Sequence, residues 1–482
     1  MTDQEIQNIL SFIQTNRDKY KTSGYGKDRT STALVDDLAK TECAGLTARR
    51  ARFEGEIGID RDPIVLKYGK GAFLWDADDL PYVDMGGCFA VAAYGHANPE
   101  LIEALNQQAQ KLMHGMGDVY PTDTKISFLK ALAAIAPGNL SGALLSQSGA
   151  EAIETAIKMA QMATGKSRLI AFESSYHGLS YGALSVTAHQ DCFKKPFSAR
   201  ICQQTTFVPY ANCKRCAFGQ SPESCHFACI SHIDRILSLP SGGCGDVAAV
   251  IAEPIQGRGG DVVPPKGWLK ALRDLCTQHD ILLILDEIYT GFGRTGSMFA
   301  CDRDNVVPDI MCLGKAMTGG FPLSAAIASP KVLNKWPLNI SEAIHTSTFL
   351  GNPMGCAVGL KALEILQRDH LPEAAQQKGD YISAEFRKIQ NKHPNYILDA
   401  RGAGLMQALE FSTPDKKPLT DIALRIVDEM RNHGFILLPS GPWSHVISIA
   451  PPLMIPQPCL EFFIQALNES IDEVIKNSNN NI

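Results

Sequence analysis

The chain lacks any apolar run long enough to cross a bilayer; its hydrophobic stretches are short and interrupted by charges. It lacks an excess of positive charge: 45 Lys and Arg stand against 51 Asp and Glu, for a formal net charge of -6. Such a balance gives it no pull towards nucleic acid or an anionic membrane. It lacks internal repeats. Its opening, "MTDQEIQNILSFIQTNRDKY", lacks the apolar core of a secretory signal, so the sequence reads as that of a cytoplasmic protein. With 45% hydrophobic and 20% charged residues over 482 positions, it predicts a globular chain of more than one minimal domain.

Cysteine is present in excess of what a cytoplasmic chain needs, at 14 residues. Most stand singly among apolar neighbours, as Cys88, Cys276, Cys312 and Cys356 do, and read as small buried hydrophobes. Four cluster in "CKRCAFGQSPESCHFAC": Cys213, Cys216, Cys225 and Cys229, with His226 beside them. The spacing C-x2-C…C-x3-C fits a structural zinc site; an irregular loop of reduced thiols fits it too. Either way the segment lies far in sequence from the catalytic candidates.

Residues 1–60 read as a helical and irregular extension, and residues 61–100, with the hairpin-like "GAFLWDADDLPYVDM", as the first part of a small domain. Residues 101–350 alternate helical stretches with short apolar strands at 143–145, 168–172, 247–252, 281–285, 310–313 and 324–328. Strands that are apolar throughout are buried on both faces, which predicts an α/β domain with a mostly parallel sheet. Residues 351–482 read as a smaller α+β domain ending in a frayed polar tail, "KNSNNNI".

Ligands in such sheets gather at the carboxyl ends of strands. The strand at 281–285 runs into Asp286, and a carboxylate there requires a cation or a strong donor. After 143–145 comes "SQSGAEAIETAIKMA", in which Ser148 and Glu151 form a capping box and Gly149 permits close backbone approach. This is a plain helix start or a phosphate cradle. After 168–172 come Tyr176 and His177, which offer a flat face to a ring or simply make a turn. After 247–252 come Glu253 and Arg258, and after 310–313 comes Lys315 among glycine and apolar residues, the setting of an amine with a lowered pKa. A lysine for a Schiff base, an acid for a ring N–H and an anion cradle are together what pyridoxal 5'-phosphate needs, and Asp286 is then the partner of the pyridinium.

"LDEIYTGFGRTG", "PDIMCLGKAMTGGFPLSA" and "HTSTFLGNPMGCA" resemble the class-III aminotransferases, which include ornithine, acetylornithine and 4-aminobutyrate aminotransferases. "SQSGAEAIETAIKMA", "SYHG", "EPIQGRGG", "RGAGLMQALEF" and "IAPPLMI" are similar and in the family's order, from about residue 65 to 470. The resemblance implies the fold-type-I architecture of pyridoxal-phosphate enzymes: a large domain around a mostly parallel sheet and a smaller α+β domain from both chain ends. It implies a homodimer with shared active sites. It makes Lys315 the Schiff-base lysine and Asp286 the pyridinium partner. Ser148, Gly149 and Ala150 become the phosphate site, Tyr176 the ring-stacking aromatic, and Thr348 the residue that reaches the neighbouring subunit's phosphate.

Three positions depart from the family pattern. Ser448, in "VISIAPPL", stands where many members carry an arginine for the substrate carboxylate. Arg258 stands where the glutamate that pairs with that arginine is expected, and Tyr289 replaces a glutamine near the cofactor's phenolic oxygen. Arg258 either grips a substrate carboxylate from the other side of the pocket or faces solvent or Asp261. The reaction implied is transfer of an amino group from an amine or amino acid to a keto acid. The alternative within the superfamily is an amino-acid racemase or epimerase.

Overall fold

The computed structural model describes residues 1–20, 29–42, 63–240, 243–337 and 342–479. Its centre is a seven-stranded sheet. The strands are β4 (Gly142–Ser146), β5 (Arg168–Phe172), β6 (Thr205–Val208), β7 (Val247–Ala252), β8 (Leu282–Asp286), β9 (Ile310–Leu313) and β10 (Ser324–Ala328), in the order β4-β10-β9-β8-β7-β5-β6. β10 runs antiparallel to both its neighbours, and every other pairing is parallel. The apolar runs at β7 to β10 are buried at every position. Their period of two divides the side chains between opposite faces. Leu282 and Ile284 join one hydrophobic cluster with the Gly149–Thr164 helix, while Leu283 and Leu285 join the other with the Trp268–Gln278 helix. The edge strand β6, "TTFV", is only half-buried over most of its length and had no continuous apolar signal.

Two smaller sheets flank the large one. β1 (Leu66–Lys70), β2 (Phe73–Asp76) and β3 (Pro81–Asp84) form a meander to which β13 (Phe435–Ile436) adds in parallel beside β3. β11 (Ile397–Ala403), β12 (Met406–Phe411), β14 (Leu438–Ser440) and β15 (Val446–Ile449) form an antiparallel sheet in the order β11-β12-β15-β14. Both ends of the chain therefore share one sheet. In the first sixty residues, helices Asp3–Thr15 and Thr30–Thr41 are described, and residues 43–62 lie outside the described residues. The first helix buries Ile6, Leu10 and Ile13. The first part of the polar tail differs from expectation: the Gln457–Asn479 helix continues through Lys476, with Val474 and Ile475 buried beneath its last turns, while residues 480–482 lie outside the described residues.

Candidate active site

The carboxyl ends of β4, β5, β7, β8 and β9 converge. Asp286, the last residue of β8, is nearly buried, with Oδ2 2.7 Å from Nδ1 of His177 and Oδ1 accepting the Ile288 N–H at 3.1 Å. The buried strand can end in a carboxylate because an imidazole and a backbone amide meet it there. Burial opposes charge on His177, but the hydrogen bond and charge of Asp286 outweigh it and raise the imidazole above its ordinary range. His177 is therefore not part of a flat face shared with Tyr176, as the sequence suggested; its short loop turns it inwards onto Asp286 and leaves Tyr176 half-buried. The adjacent acid, Glu287, serves the fold: it is fully buried and accepts the amides of Ala300 and Cys301 at 3.0 and 2.8 Å and the hydroxyl of Thr290.

Lys315 opens a 3-10 turn directly after β9 and takes φ 43°, an uncommon conformation for a residue with a side chain. Its Nζ lies 4.7 Å from the centre of the Tyr289 ring. Burial lowers its pKa, and Arg258 adds to that; Asp286 and Glu253 act in the opposite sense. Burial also raises the phenol of Tyr289.

The capping box expected at the start of the Gly149–Thr164 helix is formed. Ser148 Oγ accepts the Glu151 N–H at 3.3 Å, and Glu151 returns a carboxylate oxygen to the Ser148 N–H at 3.3 Å. That leaves the amides of Gly149 and Ala150 in the first turn, where no helical carbonyl can reach them. The 174–178 loop packs tightly on this turn: a Cβ on Gly178, at φ 124°, would lie 2.6 Å from Cβ of Ala150. Tyr176 and the cradle are thus held together by one contact.

Glu253 follows β7 and is buried, its oxygens accepting the N–H groups of Tyr176 at 3.1 Å and Gly257 at 2.9 Å. Burial, reinforced by the charge of Asp286, pushes its pKa up to about 7 against the opposing His177 and amide contacts. The half-buried Arg258 places its guanidinium carbon 4.9 Å from the centre of the Tyr176 ring. It does not pair with Asp261, whose carboxylate oxygens have no hydrogen-bond partner among the described residues. Ser448 lies on β15 and is partly exposed.

Other predicted residues lie outside this cluster. Thr348 is exposed, on a loop whose Ser347 hydroxyl accepts from Gln147 at 2.9 Å, so the loop runs past this chain's own cradle. Cys213, Cys216, Cys225 and Cys229 are free and half-buried, and they do not form a set within 4.8 Å. Among the described residues, the mixed set that does is Asp84, Cys88 and His96, where Asp84 and His96 already bond each other at 2.8 Å. The buried role of His177 and the solitary carboxylate of Asp261 are not readable from the sequence; "YHG" and "GGD" carry no periodic signal that separates them from turns.

The residues fit pyridoxal phosphate. The cradle has free amides, the ring site has a carboxylate at its floor and an aromatic at its side, and the amine sits within the same cluster. Fold and site together define a pyridoxal-phosphate enzyme. The family model of the class-III aminotransferases matches residues 58–471. An acetylornithine aminotransferase of Methanothermobacter thermautotrophicus is 35% identical over 86% of this chain and 95% of its own length. An adenosylmethionine-8-amino-7-oxononanoate aminotransferase of Geobacter sulfurreducens is 35% identical over 86% and 93%. An amine transaminase from an uncultivated Pseudomonas species, solved with pyridoxal phosphate bound, superposes with a TM-score of 0.80 at 27% identity, over 87% of this chain and 97% of that one. The chain belongs to the class-III aminotransferase family. Its relatives are aminotransferases, which decides for amino transfer over racemisation.

Proposed function

We propose that this aminotransferase passes an amino group from an amine or amino acid to a keto acid whose carboxylate is gripped by Arg258. The observation that carries this reading is the state of Arg258 itself. Its half-buried guanidinium stands over Tyr176, makes no ion pair with a carboxylate of the described chain, and is close enough to Lys315 to lower the pKa of its ammonium. A planar cation in that state is ready for a bidentate carboxylate.

The cofactor, when bound, supplies an electron sink for the carbanion formed where the amino group leaves. The chain supplies the rest. Lys315 holds and moves the proton, its pKa brought down by burial, which favours the free amine. Asp286, set in place by His177 and the Ile288 amide, offers a carboxylate to a ring N–H. Gly149 and Ala150 offer amides to a phosphate, with Ser148 beside them, and Tyr176 offers a ring face.

Thr348 is assigned to a second subunit's phosphate. Support comes from the exposed apolar surface beside it: Met113, Met116, Val119, Tyr120 and Phe349 are each at least 57% exposed, and a patch of this kind marks a protein contact. The loops carrying them touch, through His114 against Phe349 and Asn352 bonded to Met113. A homodimer closed over this surface would bury it.

The test is Arg258→Ala. Loss of a charge-assisted bond worth about 1.5–3 kcal/mol raises the KM for keto acids roughly 10- to 150-fold while leaving single-turnover reaction with a simple amine nearly unchanged. An unchanged KM for every keto acid tried would remove Arg258 from the pocket's chemistry.

A further inference from the structure

Asp84, Cys88 and His96 bring together ligand chemistry that amino transfer does not use. One ligand atom from each lies within 4.8 Å of those of the other two, the set among the described residues that meets this distance. The three run from the interior to the surface: Asp84 is 1% exposed, the His96 side chain is 12% exposed, and Cys88 is exposed. The sequence placed Cys88 among the small buried hydrophobes; the fold carries it to the surface instead.

Each ligand is held by backbone. Asp84 ends β3, which is buried at every position, and its N–H donates to Ala72 O at 2.9 Å. His96 is pinned to Gly71 by two backbone bonds, at 2.7 and 3.0 Å. Its side chain passes over Gly69, where a Cβ would lie 2.7 Å from Cβ of His96. Asp84 Oδ1 accepts the Gly86 N–H at 3.0 Å, and Oδ2 lies 2.8 Å from His96 Nε2. Cys88 is brought up by a left-handed turn: Gly87, Cys88, Phe89 and Ala90 take φ 53°, 47°, 63° and 63° in succession. Residues with side chains visit that region singly and seldom in series. The turn is closed by the Ala90 N–H on Gly86 O at 2.9 Å and the Ala92 N–H on Gly87 O at 2.9 Å. Ala450, the residue after β15, braces it: its N–H donates to Met85 O at 2.8 Å, and a Cβ on Gly87 would run into its carbonyl oxygen.

We propose that Asp84, Cys88 and His96 bind one Zn2+ ion, with the fourth position left to water on the exposed side. Zinc takes cysteine, histidine and aspartate as ligands, and three protein ligands with one open position is a coordination it commonly adopts. Tetrahedral bonds of about 2.0–2.3 Å set ligand atoms roughly 3.3–3.6 Å apart. The Asp84–His96 contact at 2.8 Å need open by only about half an ångström, and Cys88 closes from within 4.8 Å. The thiol loses its proton to solvent as the Zn–S bond forms, and His96 binds as the neutral imidazole. Thiolate and carboxylate then carry two negative charges against the ion's two positive ones, so the filled site is neutral beside its buried wall. Calcium and magnesium, which take oxygen ligands, are poorly served by a thiolate and an imidazole.

The test reads metal and not turnover, so it stands apart from the reaction assigned to Lys315. The full chain, carrying its cofactor and kept reduced by a phosphine, is stripped with a chelator and dialysed against buffered Zn2+. Elemental analysis should find one more zinc per chain in the parent than in Cys88→Ala. The dissociation constant should rise at least about 10- to 100-fold in that variant, the loss that removing a mere supporting partner produces. Zinc should raise the melting temperature of the parent and leave that of Cys88→Ala unmoved. With Co2+ in place of zinc, the difference spectrum should show a thiolate-to-cobalt band in the parent and in the Cys213→Ser/Cys216→Ser double variant, and none in Cys88→Ala. Equal zinc in the parent and Cys88→Ala, no zinc retained by the parent, or a cobalt band that survives Cys88→Ala and vanishes in the double variant would each overturn the proposal.

Discussion

Lys315 is subject to opposing influences: burial and Arg258 push its amine towards the neutral form and prevail over Asp286 and Glu253, which favour the charged one. Replacing it with alanine removes the proton carrier and should lower kcat by at least about 10³-fold, measured in single turnover, with little change in folding. Two buried carboxyls nearby make stability depend on pH. Glu253 and Asp261 are each raised to about 7 in the folded chain from ordinary values near 4, so the fold binds protons that the unfolded chain has already lost. Their contribution is fully present below their unfolded pKa and disappears as pH rises through about 7. The cofactor-free protein should therefore melt at a lower temperature at pH 8 than at pH 6, and Glu253→Gln should flatten that slope. An unaltered slope in Glu253→Gln would mean that another group is responsible. The strand-end placement of Lys315 and Asp286 was legible in the sequence because Asp286 directly follows an apolar run and Lys315 is set off from one by Gly314 alone. His177 and Asp261 were not, because their roles depend on which way a short loop turns a side chain, and no spacing records that.

The strand that ends in Asp286 and the helix that begins at Ser148 make the site out of ordinary elements. Five of the large sheet's strands match the apolar runs closely, since burial on both faces leaves no polar interruption. β6 escaped notice because an edge strand needs no such run, and "TTFV" has two threonines facing part-exposed surroundings. The Ser148–Glu151 capping box was equally readable, and the gathering of Tyr176, Asp286 and Lys315 around it supports its proposed second use as an anion cradle. Removing the cap by Ser148→Ala should cost about 1 kcal/mol in thermal or urea unfolding and loosen cofactor retention in dialysis. Gly178→Ala should do more harm to cofactor retention than to folding elsewhere. The added methyl group would lie 2.6 Å from Cβ of Ala150, and relief moves the Tyr176 loop away from the cradle. Equal retention in Gly178→Ala and the parent chain would contradict the coupling of those two parts.

Across the molecule, the cysteine-rich loop ties the large sheet's side of the chain to the sheet built from the C-terminal region. Arg215, between Cys213 and Cys216, donates to buried Glu410 on β12 at 2.6 Å, to Ser412 at 2.6 Å and to Lys416 O at 2.7 Å, with Trp443 against its guanidinium. Arg215→Ala should lower unfolding stability by about 1–3 kcal/mol, since Glu410 keeps Arg401 but loses its other cation. The loop's role was invisible beforehand because a surface arginine and its partner are separated by nearly two hundred positions. The central claim, that these converging strand ends hold pyridoxal phosphate for amino transfer, is tested most directly by the absorption spectrum of the purified protein. The spectrum would be recorded before and after a panel of amines and amino acids, with keto acid withheld and then added. The account predicts a yellow band that one donor bleaches and that pyruvate or 2-oxoglutarate restores. A yellow band unaffected by every donor while an L-amino acid loses its optical rotation, or no band after pyridoxal phosphate is supplied, would contradict it.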